Sequence, residues 1–179
     1  GAPTDYLLAE DFVERPGDYK LYVFANQFTY DDRFLAAVRK LQERDCTILW
    51  VYAPGLTVGG RNAESNMKAL TGLTLREMPG GAEAGAKMSD GRTMGAAGTV
   101  SPMFRAEEAD EVLGRYPDGS AAVAVRKTGR ATSVFSGVWQ FDVPFLTELY
   151  RRAGVHIYSE SSDPIEANEN LVALHARFP

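Results

Sequence analysis

Cysteine and histidine are nearly absent: the 179 residues hold one thiol, Cys46, and two imidazoles, His156 and His175. A single cysteine cannot form an internal disulfide, so cysteine usage says nothing about compartment. With isolated histidines, no cysteine pair and no EF-hand spacing, no metal centre is expected. A run of about 18 apolar residues is lacking, which excludes an ordinary membrane-spanning helix. Basic excess is lacking too: Lys and Arg number 19 against 24 Asp and Glu, a net charge of -5. A nucleic-acid footprint should be basic and clustered. Basic residues do cluster at Arg126, Lys127 and Arg130, but they flank a predicted hairpin turn and read as a solvated tip. The glycine-rich stretch has neither a Gly-Lys-Ser/Thr ending nor Gly-x-Gly-x-x-Gly after a strand, so no nucleotide or other cofactor is expected. Residues 1–5 lack the basic and apolar regions of a signal peptide, and there is no initiator Met. The chain therefore reads as a mature product, a trimmed chain or an excised domain, with a leader on a longer precursor left open.

What is present is a 45% hydrophobic composition, enough for a core, with 24% charged residues. The length suits one domain. Residues 20–25 (KLYVFA) and 47–52 (TILWVY) are short continuous apolar runs, as buried strands should be. Between them Phe34, Leu35, Val38 and Leu41 recur at helical spacing, with Asp31 or Asp32 as the cap. Two buried strands joined by a helix of about four turns predict a parallel βαβ unit with a right-handed crossover. A shorter helix is predicted over Ala63–Leu70, capped by Asn62 and stopped by Gly72. Residues 79–98 then lose apolar periodicity under repeated glycines. They are expected to form a long loop or irregular hairpin excursion, and the whole of 76–120 an irregular Gly-rich insertion. Residues 121–126 and 131–136 predict a hairpin turning at Thr128-Gly129. Pro144 to Ala153 predicts a helix stopped by Gly154. Residues 155–158 and 171–175 read as closing strands. The sum is a single α/β domain over 1–179, with a mainly parallel sheet and added antiparallel strands.

In open α/β sheets ligands sit beyond the carboxyl ends of the strands. Three such ends supply the candidate surface: Asn26 and Gln27 with Phe28, Pro54 and Gly55 after Ala53, and Ser136 with Gly137. The alternative for Asn26 and Gly55 is that they merely make the turns the backbone needs. Nucleophilic catalysis needs an activated Ser or Cys with a base in reach. Cys46 precedes its strand and so lies at the wrong edge, as a small buried hydrophobe. Ser136 ends a strand, but residues 134–138 (VFSGV) lack the flanking glycines of a Gly-x-Ser-x-Gly elbow. His156 and His175 lie in apolar runs. The carboxylate pairs Asp31-Asp32, Glu107-Glu108 and Asp110-Glu111 read as helix-start or solvated groups. Nothing marks them as the acid/base couple of a glycosidase, which needs two carboxyl groups across one bond. Of the aromatics, Tyr22, Phe24, Phe28, Tyr30, Trp50, Tyr52 and Phe135 read as core. Trp139 and Phe141, in the loop after Ser136-Gly137, are the better candidates for a partner or carbohydrate surface.

Residues 1–8 (GAPTDYLL), 18–26 (DYKLYVFAN) and 47–55 (TILWVYAPG) together resemble the trimerisation domain of family 42 β-galactosidases. Residues 133–137 (SVFSG) and 145–155 (FLTELYRRAGV) match that family's closing strand, helix and Ala-Gly-Val turn, while 155–159 (VHIYS) with Ala167-Asn168 is similar to large bacterial glycosidase-like proteins; the likeness covers about two thirds of the chain. Residues 76–120 match weakly. The resemblance implies a class I glutamine-amidotransferase-like, flavodoxin-like three-layer fold with helices on both faces of the sheet, and a short strand after the opening segment. It implies that the catalytic glutamates belong to a preceding TIM barrel, so none is carried over. The amidotransferase pattern of a Gly-x-Cys-x-Gly elbow and His-x-Glu fails as well, since residues 52–55 read Tyr-Ala-Pro-Gly. The family fold opens with a strand and helix before the small-residue-Pro-x-Asp segment at which this chain starts. The expectation is that this βα unit is missing, or that another chain or segment supplies its place.

Three readings follow. The first is a non-catalytic interaction or oligomerisation domain of a glycoside-hydrolase-like protein, a piece of a longer chain. Its partners would be a TIM-barrel domain of the same or a neighbouring chain and further copies of itself. The second is a degenerate amidotransferase-like or hydrolase enzyme with a site at the strand edge, and the third a carbohydrate-binding module. No nucleic acid or membrane is expected. The compartment is open between the bacterial cytoplasm and export within a longer soluble chain.

Overall fold

The structure, a computed structural model, describes residues 2–159, 163, 165–167 and 170–176. The chain opens with a short helix, α1 (Ala9–Glu14), where the resemblance implied a strand. Its buried Phe12 sets a ring 5.1 Å from that of Phe24 and 5.4 Å from that of Phe34. Strand β1 (Leu21–Phe24), helix α2 (Asp32–Gln42) and strand β2 (Thr47–Val51) form the predicted βαβ unit, in parallel register from Leu21 opposite Thr47 to Phe24 opposite Trp50. Asp31 is the cap, its carboxylate accepting from the Phe34 N–H at 2.8 Å. Arg39 and Lys40 in the last turn complement the helix dipole. All five residues of β2 are buried. Ile48 and Trp50 face one core cluster with Phe12, Phe34, Val38, Leu41, Met67 and Leu70, while Leu49 and Val51 face the other with Phe145 and Leu149.

A two-stranded ribbon, β3 (Thr57–Val58) with β4 (Arg61–Asn62), precedes helix α3 (Glu64–Thr71). The expected Asn62 cap moves by one residue: Ala63 occupies the cap without a side-chain bond, because the Asn62 amide oxygen accepts from the Thr57 hydroxyl at 2.6 Å. Gly72 ends the helix at φ +75°.

Residues 74–115 depart furthest from expectation. They form β5 (Thr74–Glu77), β6 (Ala82–Met88), β7 (Thr93–Val100), β8 (Phe104–Glu107) and β9 (Glu111–Arg115), so the supposed irregular insertion is largely sheet. The buried side of β6 is Ala84, Ala86 and Met88, opposite Glu83 and Lys87. That alternation has period 2, but alanine and glycine carry too little apolar signal to reveal it. The glycines serve backbone geometry instead: Gly91 turns the β6–β7 hairpin at φ +89°, and Gly95 and Gly98 sit within β7 at φ +109° and +102°.

The hairpin of β10 (Ala121–Thr128) and β11 (Ala131–Ser136) forms as expected, and β11 lies parallel against β2. The basic tip is paired: Arg126 with Glu108, Arg130 with Asp45, and Lys127 Nζ with the Thr132 hydroxyl. Helix α4 (Val143–Ala153) is capped by Asp142, which accepts from the Phe145 N–H at 2.9 Å, and stops at Gly154. The closing strands differ from expectation. Residues 155–158 have no strand, and their place in the sheet is already filled on both sides of β2. Only Val172–Leu174 of the second becomes one, β13, paired with β12 (Ile165–Ala167) apart from the main sheet and exposed throughout.

The main sheet has nine strands in the order β1-β2-β11-β10-β9-β6-β7, with β5 pairing β8 and β8 pairing β10. It is mixed. Parallel pairing belongs to β1, β2 and β11, whereas β5 to β10 add antiparallel neighbours throughout. The added strands thus weigh more in the sheet than the sequence suggested.

Candidate functional site

The ends of β1, β2 and β11 converge on a cleft of about 250 Å³ lined by Asn26, Tyr52, Trp139 and, from the end of β7, Val100. Asn26 and Tyr52 both hold a left-handed backbone, at φ +57° and +65°. Asparagine tolerates this conformation, whereas for a bulky tyrosine it costs on the order of 1–3 kcal/mol. Surrounding contacts hold Tyr52 there. Its N–H donates to the Ser136 carbonyl at 2.8 Å, and its hydroxyl donates to the Pro102 carbonyl at 2.6 Å. Its ring meets those of Phe28, Phe104 and Trp139 edge-on at 6.0, 6.0 and 5.3 Å. Burial, and then the charge of Glu77, push its phenol above the ordinary value.

The other expected rim residues have structural tasks. Gln27 donates from Nε2 to the Thr29 carbonyl at 2.6 Å, and its own carbonyl accepts from Gly55 N at 2.7 Å. Pro54 and Gly55 are buried in the turn after β2. A side chain at Gly55, where φ is +71°, would meet Leu70 and Tyr30 at 2.8 Å. Ser136 is fully buried, and its hydroxyl donates to the Val138 carbonyl at 2.7 Å. Gly137 passes so close to Tyr116 that a Cβ would lie 2.0 Å from the phenol oxygen. Phe141 turns away to pack at 5.2 Å against Phe145 of α4. The cleft therefore brings together Asn26 and Trp139 and adds Tyr52 and Val100. The sequence reading placed Tyr52 in the core, because nothing in residue type announces a left-handed tyrosine. Val100 lay in the stretch read as irregular.

The groups weighed for chemistry lie elsewhere. Cys46 is buried at the start of β2, the strand end opposite Tyr52, with Sγ 3.6 Å from the Leu41 carbonyl and its thiol pushed up by burial. His156 rests edge-on to Tyr158 at 4.5 Å, His175 is exposed beyond β13, and neither lines the cleft. The carboxylates are engaged: Asp31 caps α2, Glu107 pairs with Arg76, and Asp110 accepts from Lys127 N. Hydrogen bonding from Arg126 holds Glu108 below the usual range, and Arg152 does the same for Glu111. Among the described residues no group of three His, Cys, Asp or Glu side chains could hold a metal ion, and no helix is long and apolar enough to cross a membrane.

A larger cavity, about 430 Å³, opens between the β6–β7 hairpin and α4 over Met88, Leu113 and Phe145. Two arginines clasp its walls. Arg92 of the hairpin pairs with Asp90 and with the cap residue Asp142, and Arg152 of α4 pairs with Glu111 of β9 and Glu148. No motif announces it, since its partners lie up to 50 residues apart.

No family model matches the chain, and no curated relative matches it. Solved structures do match in fold. The GH42 β-galactosidase Gan42B of G. stearothermophilus, as a catalytic mutant, superposes over 83% of this chain and 23% of its own at 16% identity, with a TM-score of 0.58. The β-galactosidase of the psychrophilic Marinomonas ef1 does so over 86% and 24% at 16% identity and 0.56. That of the Antarctic haloarchaeon Halorubrum lacusprofundi gives 76%, 22%, 17% and 0.57. The chain spans about a quarter of the length of these enzymes, and the likeness is one of fold.

Proposed function

We propose that this chain is a non-catalytic interaction domain of a glycoside-hydrolase-like protein, built on an amidotransferase-like, flavodoxin-like three-layer plan. It associates with a TIM-barrel domain of the same or a neighbouring chain and with further copies of itself, as a trimerisation domain does, and walls a neighbour's active site. The observation that carries the reading is the state of the strand-end rim. Among the described residues, the serine hydroxyl ending a strand there, on Ser136, is fully buried and spent on the Val138 carbonyl, the Tyr52 hydroxyl is spent on the Pro102 carbonyl, and the chain's one thiol, Cys46, lies at the other end of β2. The fold likeness to one quarter of several β-galactosidase chains supports it.

One observation favours an enzyme instead: Tyr52 holds a strained backbone just where β2 ends, the place of a nucleophile elbow. Its hydroxyl is committed to Pro102 and its phenol is raised, both of which oppose attack. Light scattering across a dilution series tests association. The expected mass is a multiple of 19.6 kDa that falls on dilution. A strict monomer, or turnover of a nitrophenyl galactoside by the chain alone, overturns the reading.

A further inference from the structure

The cleft at the ends of β1, β2 and β11 has a composition that the proposed association does not use. Its lining carries no ionisable carboxylate, amine or guanidinium. Trp139 leaves 38% of its surface exposed, although its ring is held edge-on by Tyr52 at 5.3 Å. The Asn26 carboxamide and the Trp139 indole N–H make no hydrogen bond within the described residues. Asn26 itself holds a left-handed conformation at φ +57°. The neighbouring polar groups, by contrast, are all spent: the Tyr52 hydroxyl on Pro102, the Gln27 amide on Thr29 and the Ser136 hydroxyl on Val138. A space of about 250 Å³ falls below the roughly 300–1,000 Å³ of drug-sized pockets, so the occupant is a single ring. A partly exposed indole beside free amide and indole donors suits a ligand with one apolar C–H face and a rim of neutral hydroxyls.

We propose that this cleft binds one neutral pyranose ring, with its C–H face against Trp139 and its hydroxyls on the Asn26 carboxamide. The Tyr52 oxygen, already donating to Pro102, has lone pairs left to accept. No bond is made or broken, so the site is a binding site. The choice of a galactoside as the first probe rests on the function proposed above.

The two tryptophans make the test selective. Trp50 is fully buried and stacked on Phe24 at 4.7 Å, so a sugar can perturb only Trp139. Titration with methyl β-galactopyranoside should give a saturable change in emission, with a dissociation constant on the order of 1 mM for so few atoms. Trp139→Ala should abolish the change. Asn26→Gly, which keeps the left-handed backbone, should weaken binding several-fold as read by calorimetry, with an unaltered circular dichroism spectrum. Ligand-observed NMR on the unaltered chain should transfer saturation to the ring C–H protons, which keeps the test valid if the Trp139 variant fails to fold. An emission change that survives in Trp139→Ala, or no saturable response at about a hundredfold that concentration, overturns the site. So does an emission change that follows protein concentration instead of sugar, which would give the cleft to a protein contact. Because light scattering reads association separately, a sugar that fails to bind a chain that still associates overturns the site alone.

Discussion

The two ends of the nine-stranded sheet are built from different material. At the parallel end, β1, β2 and β11 are covered by Trp50, Phe24, Phe34, Phe135 and branched aliphatics, large side chains that bury β2 on both faces and β1 on one. At the antiparallel end, β6 and β7 bury Ala84, Ala86, Met88 and Met94 and are interrupted by left-handed glycines. Where side chains are large, strands are held by the apolar area they hide. Where they are small, strands are held by how closely backbones approach. The two ends should therefore break in opposite ways, one when bulk is removed and the other when it is added.

The largest effect is expected from Trp50→Ala. It empties the centre of the parallel end and should cost about 3–5 kcal/mol by denaturant unfolding. Next comes Gly95→Ala, a change of one methyl. Its Cβ would lie 2.3 Å from the Ala84 carbonyl oxygen in a backbone region that L-residues avoid, which should cost about 1–3 kcal/mol. If Gly95→Ala proves neutral while Trp50→Ala is severe, the contrast fails at the antiparallel end. Asp142→Ala removes both the cap of α4 and the Arg92 partner that ties this helix to the β6–β7 hairpin. About 1–2 kcal/mol is expected, with hydrogen exchange rising first in residues of the first turn of α4.

The smallest effect concerns Glu111. Hydrogen bonding from Arg152 lowers its folded pKa, so its contribution is present above the ordinary carboxylate range. It is lost as pH falls through that range toward the lowered value. Both partners are more than a third exposed, so less than about 1 kcal/mol is at stake. Arg152→Met should flatten the stability profile there, and an unchanged acid limb in pH-dependent unfolding would remove the clasp as a source of stability.

The same contrast explains what could be read from the chain. The βαβ unit, the β10–β11 hairpin and α4 announce themselves through runs such as TILWV, through the cap residue Asp31, through Pro144 in the first turn of α4, and through stops such as Gly154. Strands β5 to β9 do not, because an Ala-Gly-Met alternation is too weak to separate from a glycine-rich loop. The rule that ligands gather at strand ends led to Asn26 and Trp139, which do share a cleft. It could not separate them from Gly55, Ser136 and Gly137. Those are fixed by contacts with Leu70, Val138 and Tyr116, distant in sequence or visible only in three dimensions. Tyr52 was hidden for another reason: its neighbours impose its conformation, and residue type opposes it.

The last strand of the sheet carries one more consequence. Eight consecutive uncharged residues along an open border would ordinarily recruit a foreign strand and let the sheet grow without limit. The reversed backbone at Gly95 and Gly98 swivels successive peptide planes out of line, so an incoming chain finds no long uninterrupted rank of donors and acceptors. Gly95, which lets the β6 and β7 backbones nestle, thus also breaks the regularity of the open border. Replacing it would endanger the protein's solution behaviour as well as its folding.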